Sequence, residues 1–216
     1  MTNQIVSDFL PDRLPDNPMP LVAEWLAEAR AAANQPNPNA MTLASCDANG
    51  NLSARIVLCK GLDTEHGSID FYTNYRSTKA RAIDSRNQVA VVFHWDHAAR
   101  QVRIEGTASR VDSATSDRYF ASRPRLSQMG AWASDQSAAI ESRDALLQQF
   151  DARNAQHGEH IPRPPHWGGY RIVAQACELW VEGAGRVHDR ARFVRDVESS
   201  NGAPVIGAWQ GQRLQP

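Results

Sequence analysis

The chain has 216 residues, 42% of them hydrophobic, and its 23 basic and 24 acidic side chains give a formal net charge of -1. This length predicts one domain with a proper core. The balanced charge excludes a general attraction to nucleic acid or to an anionic membrane. No apolar run approaches the ~20 residues that cross a bilayer, and no basic start followed by an apolar block marks a leader. Cys46, Cys59 and Cys177 are too far apart in sequence to suggest a disulfide framework or a zinc site, so we expect a soluble cytoplasmic protein with reduced thiols.

The first twenty residues carry four prolines and little periodicity, which predicts a flexible arm over 1–20 and a single folded domain over 21–216. An amphipathic helix follows, in which these apolar residues share helical spacing: Leu21, Val22, Trp25, Leu26 and Ala29. Met41–Cys46 and Leu52–Lys60 then flank an Asn-Gly pair, which tolerates the positive φ of a tight hairpin turn. Two antiparallel strands are therefore predicted.

Short runs rich in β-branched or aromatic residues predict six further strands. They are Ser68–Thr73, Val89–Trp95, Val102–Val111, Tyr170–Ala174, Glu178–Glu182 and Ala191–Val197. Helices are predicted at Thr78–Asn87, Ala114–Ser122 and Arg143–Ala155, with Ser77, Ser113 and Ser142 as N-caps. Strands that pair mostly in hairpins, with helices inserted at the edges, predict an α+β fold built on an antiparallel β-barrel.

The stretch Tyr72–Lys79 runs from a strand through a short turn into a helix. Free N–H groups at the helix start, the hydroxyls of Ser77 and Thr78 and the charge of Lys79 together suit a phosphate. The alternative is an ordinary capped helix. The strand Arg55–Lys60 carries two cations, which point to opposite faces unless a bulge or the end of the strand intervenes. They serve different phosphates or different points of one ligand, or they are surface charges paired with carboxylates.

The densest stretch is Arg118–Ser137, where a predicted helix ends in Arg123-Pro124-Arg125 and passes into a predicted loop of Ser, Gln, Gly and Trp. It offers many donors and few acceptors, and guanidinium groups pair bidentately with phosphate. This composition indicates a phosphorylated aromatic ligand. The alternative, a solvated basic helix end, explains the arginines but not the segment after them.

A last candidate is Trp180 followed by Arg186–Arg190, in which His188 is suited to acid–base work near neutral pH. A structural histidine is the alternative there. The histidines His157, His160 and His166 lack cysteine or adequate carboxylate support, so no metal site is expected.

In chain order, these stretches resemble the pyridoxine (pyridoxamine) 5′-phosphate oxidase family. The resemblance covers most of the chain, and the collinear series is far more specific than any one member. The matching stretches are Leu14–Pro18, the Trp25 helix, Asn39–Met41, Arg55–Lys60, Phe71–Asn74, Arg100–Val102, Tyr119–Ser137, His166–Tyr170, Arg186–Arg190 and Arg213–Pro216.

The resemblance implies a split β-barrel homodimer with FMN at the interface, so that each site draws on both chains. FMN would be held by Arg55, Ile56, Val57, Leu58, Cys59, Lys60, Tyr72, Thr73, Thr78, Lys79, Gln101, Gln136, Ser137, Trp180 and Arg190. The substrate phosphate would be held by Lys60, Tyr119, Arg123 and Ser127, and the pyridine ring would be framed by Arg186, Val187 and His188.

The implied reaction moves a hydride from the 4′ carbon of pyridoxine phosphate or pyridoxamine phosphate to the flavin N5. Dioxygen reoxidises the flavin to give hydrogen peroxide, and the product is pyridoxal phosphate, with ammonia released from the amine. The protein supplies position and charge. Arg186 is implied as the main orienting and charge-stabilising catalytic residue, with His188 as its helper.

The sequence departs from the family pattern at several points. Thr78 stands where an arginine is frequent, Val181 replaces a common glutamine and Val187 a common leucine. An N-terminal Arg-x-x-Tyr is absent, and the segment 196–208 is longer and richer in glycine than usual. Two alternatives stay open: a split-barrel flavin oxidase of another substrate, of the phenazine type, and a non-catalytic flavin-binding protein.

Overall fold

Antiparallel strand pairing organises the chain, of which this computed structural model describes residues 9–158, 160–200 and 203–216. The strands are β1 (Ala40–Cys46), β2 (Leu52–Leu58), β3 (Gly61–Asp63), β4 (Ser68–Asn74), β5 (Gln88–Trp95), β6 (Arg100–Arg110), β7 (Trp167–Val181), β8 (Asp189–Val194), β9 (Val197–Ser200), β10 (Ala203–Ile206) and β11 (Gln210–Leu214). The helices are α1 (Met19–Ala32), α2 (Thr78–Ser85), α3 (Ser113–Ala121), α4 (Arg125–Ala133) and α5 (Arg143–Gln156). None of the helices in the described part is long and apolar enough to span a membrane.

Nine strands form one antiparallel sheet in the order β11-β8-β7-β6-β5-β1-β2, with β4 also paired to β7 and β3 to β4. The long strand β7 changes partner half-way: Trp167–Val173 pairs with β4, whereas Ala176–Val181 pairs with β8. The sheet therefore divides at β7, and one part curls until β2 lies beside β4. This confirms the predicted α+β class with an antiparallel sheet.

A β-bulge lies at the point where the sheet divides. The register of β6 against β7 shifts between Glu105 and Gly106. A Cβ atom on Gly106 would lie 2.1 Å from the carbonyl oxygen of Val173, so only glycine allows the two backbones to approach this closely. Bulges bend strands and increase their twist, which fits the change of partner along β7.

Several predicted elements are corrected by the structure. Tyr170–Ala174 and, except for Glu182, the predicted strand Glu178–Glu182 belong to one strand, β7. The segment after Pro124 is the helix α4 rather than a loop. The predicted strand Ala191–Val197 is interrupted after Val194, and the unusually long segment 196–208 carries the hairpin of β9 and β10. The missed elements are short or lack the β-branched residues on which the strand predictions depend.

Helix N-caps were predicted from serine residues, and two of the three are confirmed. Ser77 and Ser142 accept hydrogen bonds from the N–H groups of Ala80 and Ala145. The prediction of Ser113 is wrong, because Asp112 caps α3 by accepting from the Thr115 N–H at 2.7 Å. The Asp112 carboxylate makes the capping contact that was predicted for the Ser113 hydroxyl, and it has two oxygens that can accept hydrogen bonds.

The main core lies between the sheet and α1. The predicted apolar face of α1 is confirmed, with Val22, Trp25, Leu26 and Ala29 buried, although the helix begins at Met19 rather than Leu21. Ahead of it, residues 9–18 contact the domain: Leu10 is 4% exposed and its N–H donates to the Asp189 carboxylate at 2.9 Å. Residues 1–8 of the predicted arm lie outside the described residues.

Candidate active site

A cleft of about 760 Å³ opens between β2, β4 and the helices α3 and α4. The bulge and curl described above bring β2 beside β4, which forms the floor of this cleft. It is lined by Ile56, Val57, Leu58, Lys60, Tyr72, Thr73, Asn74, Lys79, Tyr119, Ser122, Arg123, Pro124, Ser127, Gly130, Ala131, Ser134, Gln136 and Trp167. Eleven of these were predicted as site residues, from stretches widely separated in sequence.

The start of α2 forms the first anion site. The Lys79 side chain is only 9% exposed, and its Nζ lies 3.2 Å from Thr73 Oγ1, 3.3 Å from Ser77 Oγ and 3.2 Å from Gln136 Oε1. All three partners are neutral. Burial, with a smaller effect of the Arg55 charge, lowers the pKa of Lys79 to about 8. A buried ammonium with no carboxylate partner is costly unless an anion joins it.

Two other predicted residues meet at the edge of this site. The N–H of Thr78 donates to Ser137 Oγ at 3.3 Å, so the segment after α4 folds back over the start of α2. Arg55 lies nearby, but its guanidinium donates to the Leu43 carbonyl at 3.1 Å and to Ser45 Oγ at 2.8 Å. It therefore contributes charge to this end of the cleft while its N–H groups bind the sheet.

An aromatic wall forms the second part of the cleft. The rings of Tyr72 and Tyr119 stack with centroids 3.9 Å apart, and Trp167 lies parallel to both. Burial raises the pKa of Tyr72 and of Tyr119, so both hydroxyls remain available as donors at neutral pH. These flat side chains suit a planar ring beside them.

Arg123 lies on this wall and provides the second anion site. Its guanidinium carbon is 4.4 Å from the centre of the Trp167 ring, and its buried Nη1 has no hydrogen-bond partner in the described part of the chain. Its neighbour Arg125 points away and donates to the carbonyls of His157 and Gly158 at the end of α5. Of this predicted pair, only Arg123 is therefore free to receive a phosphate, and Ser127 lines the cleft beside it.

Not all of the predicted residues of β2 and of the segment after it line the cleft. Lys60 and the side chains of residues 56–58 line the cleft, but Cys59 does not. Its thiol is 1% exposed and donates to the Gly61 carbonyl at 3.3 Å, and burial raises its pKa to about 11. The Cys59 side chain thus belongs to the core.

The remaining predicted residues gather at a second place, around the far end of β7. Gln101, Trp180 and Arg190 are direct cross-strand neighbours on β6, β7 and β8. The ring of His188 lies 4.6 Å from that of Trp180, and its Nδ1 lies 3.2 Å from the Gly183 N–H, which donates to it. In the neutral ring, this contact places the proton on Nε2.

Arg186 lies in the same tight turn, two residues before His188, and its backbone is left-handed, with φ 65°. The turn also needs glycine at 183, because a Cβ there would lie 1.7 Å from the Val187 carbonyl oxygen. Val187 itself is exposed beside His188. Non-glycine residues held at positive φ cost energy and often occur at functional sites.

Within one chain, the residues of the second cluster do not line the cleft. Trp167 borders the cleft at the start of β7, and Trp180 lies near its end. At ~3.3 Å per residue, roughly 40 Å of strand separates them. The two clusters therefore lie far apart along this strand.

Sequence reasoning missed several lining residues as site members, notably Asn74, Gly130, Ser134 and Trp167. Trp167 follows a proline-rich loop, and the residues around it do not indicate a ligand. It does belong to His166–Tyr170, one of the stretches that resemble the family. Asn74 is the one with a usable signal, since it ends β4 just before the helix start. Its side chain donates to the Ser134 carbonyl at 3.2 Å and so ties the two walls of the cleft together.

Family models match nearly the whole chain. Residues 27–157 match the model described as pyridoxamine 5′-phosphate oxidase, and residues 167–216 match the pyridoxine 5′-phosphate oxidase C-terminal dimerisation region. The chain belongs to the pyridoxine/pyridoxamine 5′-phosphate oxidase family. This confirms the resemblance and places the chain among oxidoreductases. It also shows that β7, β8 and β11 lie in the family's dimerisation region.

Relatives in this family are close to the chain in sequence and length. A pyridoxine/pyridoxamine 5′-phosphate oxidase of Burkholderia thailandensis is 48% identical over 93% of this chain and 90% of its own. The protein of the same name from Burkholderia lata is 47% identical over 89% of this chain and 86% of its own.

Solved structures share the fold. PhzG from Burkholderia lata 383, in complex with tetrahydrophenazine-1-carboxylic acid, has a TM-score of 0.84 at 27% identity and covers 100% of this chain and 98% of its own. A pyridoxamine 5′-phosphate oxidase-related, FMN-binding protein from Nostoc punctiforme has a TM-score of 0.70 at 14% identity, covering 92% of this chain and 97% of its own. The predicted split-barrel fold is thereby confirmed.

Proposed function

We propose that the chain is an FMN-dependent oxidase that converts pyridoxine 5′-phosphate or pyridoxamine 5′-phosphate to pyridoxal 5′-phosphate, with dioxygen as acceptor and hydrogen peroxide as by-product. One observation carries the proposal. A single cleft contains Lys79 at the start of α2 and Arg123 on the aromatic wall, and neither has a carboxylate partner among the described residues. Two phosphorylated flat molecules, a cofactor and a substrate, would satisfy both.

The residues around Lys79 fit the phosphate of FMN. Thr73, Ser77 and Gln136 offer short polar side chains around the ammonium, and the start of α2 adds the positive end of its dipole. Thr78 and Ser137 close the site. Since Thr78 brings no charge, Lys79 and the nearby Arg55 supply the cations here. When bound, FMN supplies the acceptor of the two electrons removed from the substrate carbon.

The residues around Arg123 fit the substrate phosphate. The unpartnered Nη1 of Arg123 is a donor already held in place by the Trp167 ring. Tyr119, Ser127 and Lys60 also line the cleft and offer hydroxyl and ammonium donors to this phosphate. A charged hydrogen bond of this kind contributes ~1.5–3 kcal/mol, so Arg123 fixes the substrate and orients its ring.

The second cluster would complete the site from the other subunit of a homodimer. There Arg186 would orient the ring and stabilise charge at the reacting carbon, while His188, with its proton on Nε2, would donate to an oxygen or nitrogen of the substrate. Trp180, Gln101 and Arg190 would border the cofactor. The match to the dimerisation region supports this arrangement. We also propose a cytoplasmic location, which the free thiols of Cys46, Cys59 and Cys177 support.

The test is to incubate the purified protein with FMN and pyridoxine phosphate, or pyridoxamine phosphate, in air. The aldehyde product is followed through its Schiff base with an added amine. We expect aldehyde and hydrogen peroxide in equal amounts. Arg186→Ala should lower turnover far more than FMN affinity, and an unchanged turnover would remove Arg186 from the mechanism.

A second candidate, oxidation of a phenazine precursor, is favoured by the likeness to PhzG. The 47–48% identity to pyridoxine/pyridoxamine 5′-phosphate oxidases, against 27% to PhzG, counts against it. FMN retained with no aldehyde from either substrate would leave this candidate or a non-catalytic flavin carrier.

A further inference from the structure

A buried carboxylate lies between two arginines next to the second cluster. Glu178 is 3% exposed and lies on the same face of β7 as Trp180, two residues earlier. Its Oε1 accepts from Arg190 Nε at 3.1 Å and from Arg190 Nη2 at 2.8 Å. Its Oε2 accepts from Arg103 Nη2 at 2.6 Å. One carboxylate therefore fixes two guanidinium groups.

We propose that Glu178 is a positioning residue that holds the guanidinium of Arg190 in the orientation in which it meets the cofactor. The proposal rests on the proposed function, in which Arg190 borders FMN. Glu178 itself lies behind Arg190 and acts through it.

The hydrogen bonds of Arg190 indicate which of its N–H groups remain available to a ligand. Of its five N–H groups, two are directed to Glu178, and a third, on Nη1, donates to the Gln215 carbonyl at 3.0 Å. The other two, one on each terminal nitrogen, have no partner within the described ranges. Arg190 is thus held by Glu178 and by the Gln215 carbonyl, and it keeps two donors for a ligand. A side chain fixed in advance loses less entropy when a ligand binds.

The neighbouring charges make Arg190 more dependent on Glu178 than Arg103 is. Arg103 has a second carboxylate, since its Nε lies 3.3 Å from Glu105 Oε1. For Arg190, Glu178 is the only carboxylate within ion-pair distance in the described part of the chain. Loss of the Glu178 charge would therefore release Arg190 selectively.

Glu105 provides a matched control on the same face of the sheet. It accepts from Arg192 Nη1 at 3.1 Å and from Nη2 at 2.9 Å, so it makes the same kind of two-point contact. Arg190 is the direct cross-strand neighbour of Trp180, whereas Arg192 lies two residues farther along β8, opposite Glu178. The variant Glu105→Gln removes a more exposed ion pair of the same sheet. Glu105 also lies near Arg103, but it has no ion pair with Arg190, the residue proposed to meet FMN.

The experiment compares FMN binding to the FMN-free forms of the full-length protein, Glu178→Gln and Glu105→Gln, by quenching of flavin fluorescence. We expect Glu178→Gln to raise the Kd for FMN about tenfold and to shift the visible absorption of bound flavin. Glu105→Gln should change neither. In an Arg190→Ala background, Glu178→Gln should add less than about twofold, because the two residues act as one unit.

Unchanged FMN binding by Glu178→Gln would overturn the proposal, as would an equal loss in the Arg190→Ala background. If Glu178→Gln does not fold, Arg190→Lys replaces it. Lysine keeps the charge but cannot make the two-point contact, so it should also lose about tenfold in affinity, and wild-type binding by that variant would overturn the role. A wild-type protein that binds no FMN would overturn the proposed function as well, whereas failure of the variants alone removes only the role of Glu178.

Discussion

At the scale of single residues, Lys79 is expected to dominate the binding of the FMN phosphate. Lys79→Met keeps the aliphatic stem and removes the charge, so it should weaken FMN binding ~10- to 100-fold, the equivalent of one charged hydrogen bond. Titration of FMN-free protein by flavin fluorescence measures this. Arg76→Met is the control, because Arg76 is an exposed cation near the same helix start and outside the cleft. An equal loss in both variants would argue for a general charge effect.

The pH dependence of FMN binding follows from the same residue. The pKa of Lys79 is lowered to about 8, so in the FMN-free protein the ammonium loses its proton as pH rises through that value. The phosphate is already a dianion there, since its second pKa is ~6. FMN affinity should therefore be nearly constant at about pH 7, decrease as the pH rises through about 8 and continue to fall above it, and Lys79→Met should remove this decrease. A decrease of the same size in the variant would assign it to another group.

Arg123 and Arg125 are separated by one proline and are expected to behave differently. Arg123→Ala should raise the KM for pyridoxine phosphate ~10- to 100-fold with FMN content unchanged, because it removes a buried charged donor from the substrate site. Arg125→Ala should lower the melting temperature and leave KM unchanged, because Arg125 binds carbonyls at the end of α5. Steady-state kinetics on both variants decide between them, and equal KM values would contradict the assignment.

At the scale of elements, the helix α3 presents Tyr119 to the cleft, and its start depends on Asp112. Asp112→Ala removes the contacts to the Thr115 N–H and hydroxyl and should lower the melting temperature by about 2–4 °C. Ser113→Ala, one residue later, should have no measurable effect. Thermal unfolding followed by circular dichroism tests both variants, and a larger loss from Ser113→Ala would reverse the cap assignment.

At the scale of the whole molecule, the separation of the two clusters along β7 predicts complementation between subunits. At a substrate concentration far below the raised KM of Arg123→Ala, Arg123→Ala and Arg186→Ala should each have little activity alone. After the two proteins are refolded together in equal amounts, half of the dimers are mixed, and each mixed dimer contains one site with neither defect. About one quarter of the wild-type turnover should return. No recovery, with mixed dimers demonstrated, would mean that each site is built within one chain.

The sequence alone determined the features that depend on neighbouring residues. Helical spacing predicts the buried face of α1, and serine next to a free N–H predicts the caps at Ser77 and Ser142. The phosphate chemistry of the Tyr72–Lys79 turn has the same origin, since hydroxyls, ammonium and helix start lie within a few residues. The order of such stretches along the chain was specific enough to indicate the family.

Only the tertiary structure decided which distant residues meet. Arg123 on Trp167, and Glu178 between Arg103 and Arg190, depend on which strands pair and where the β-bulge at Gly106 divides the sheet. The structure also shows that Arg125 caps a helix while Arg123 keeps a free donor, although both stand in the same tripeptide. Burial and partner choice are set by long-range packing, and a local pattern carries no information about them.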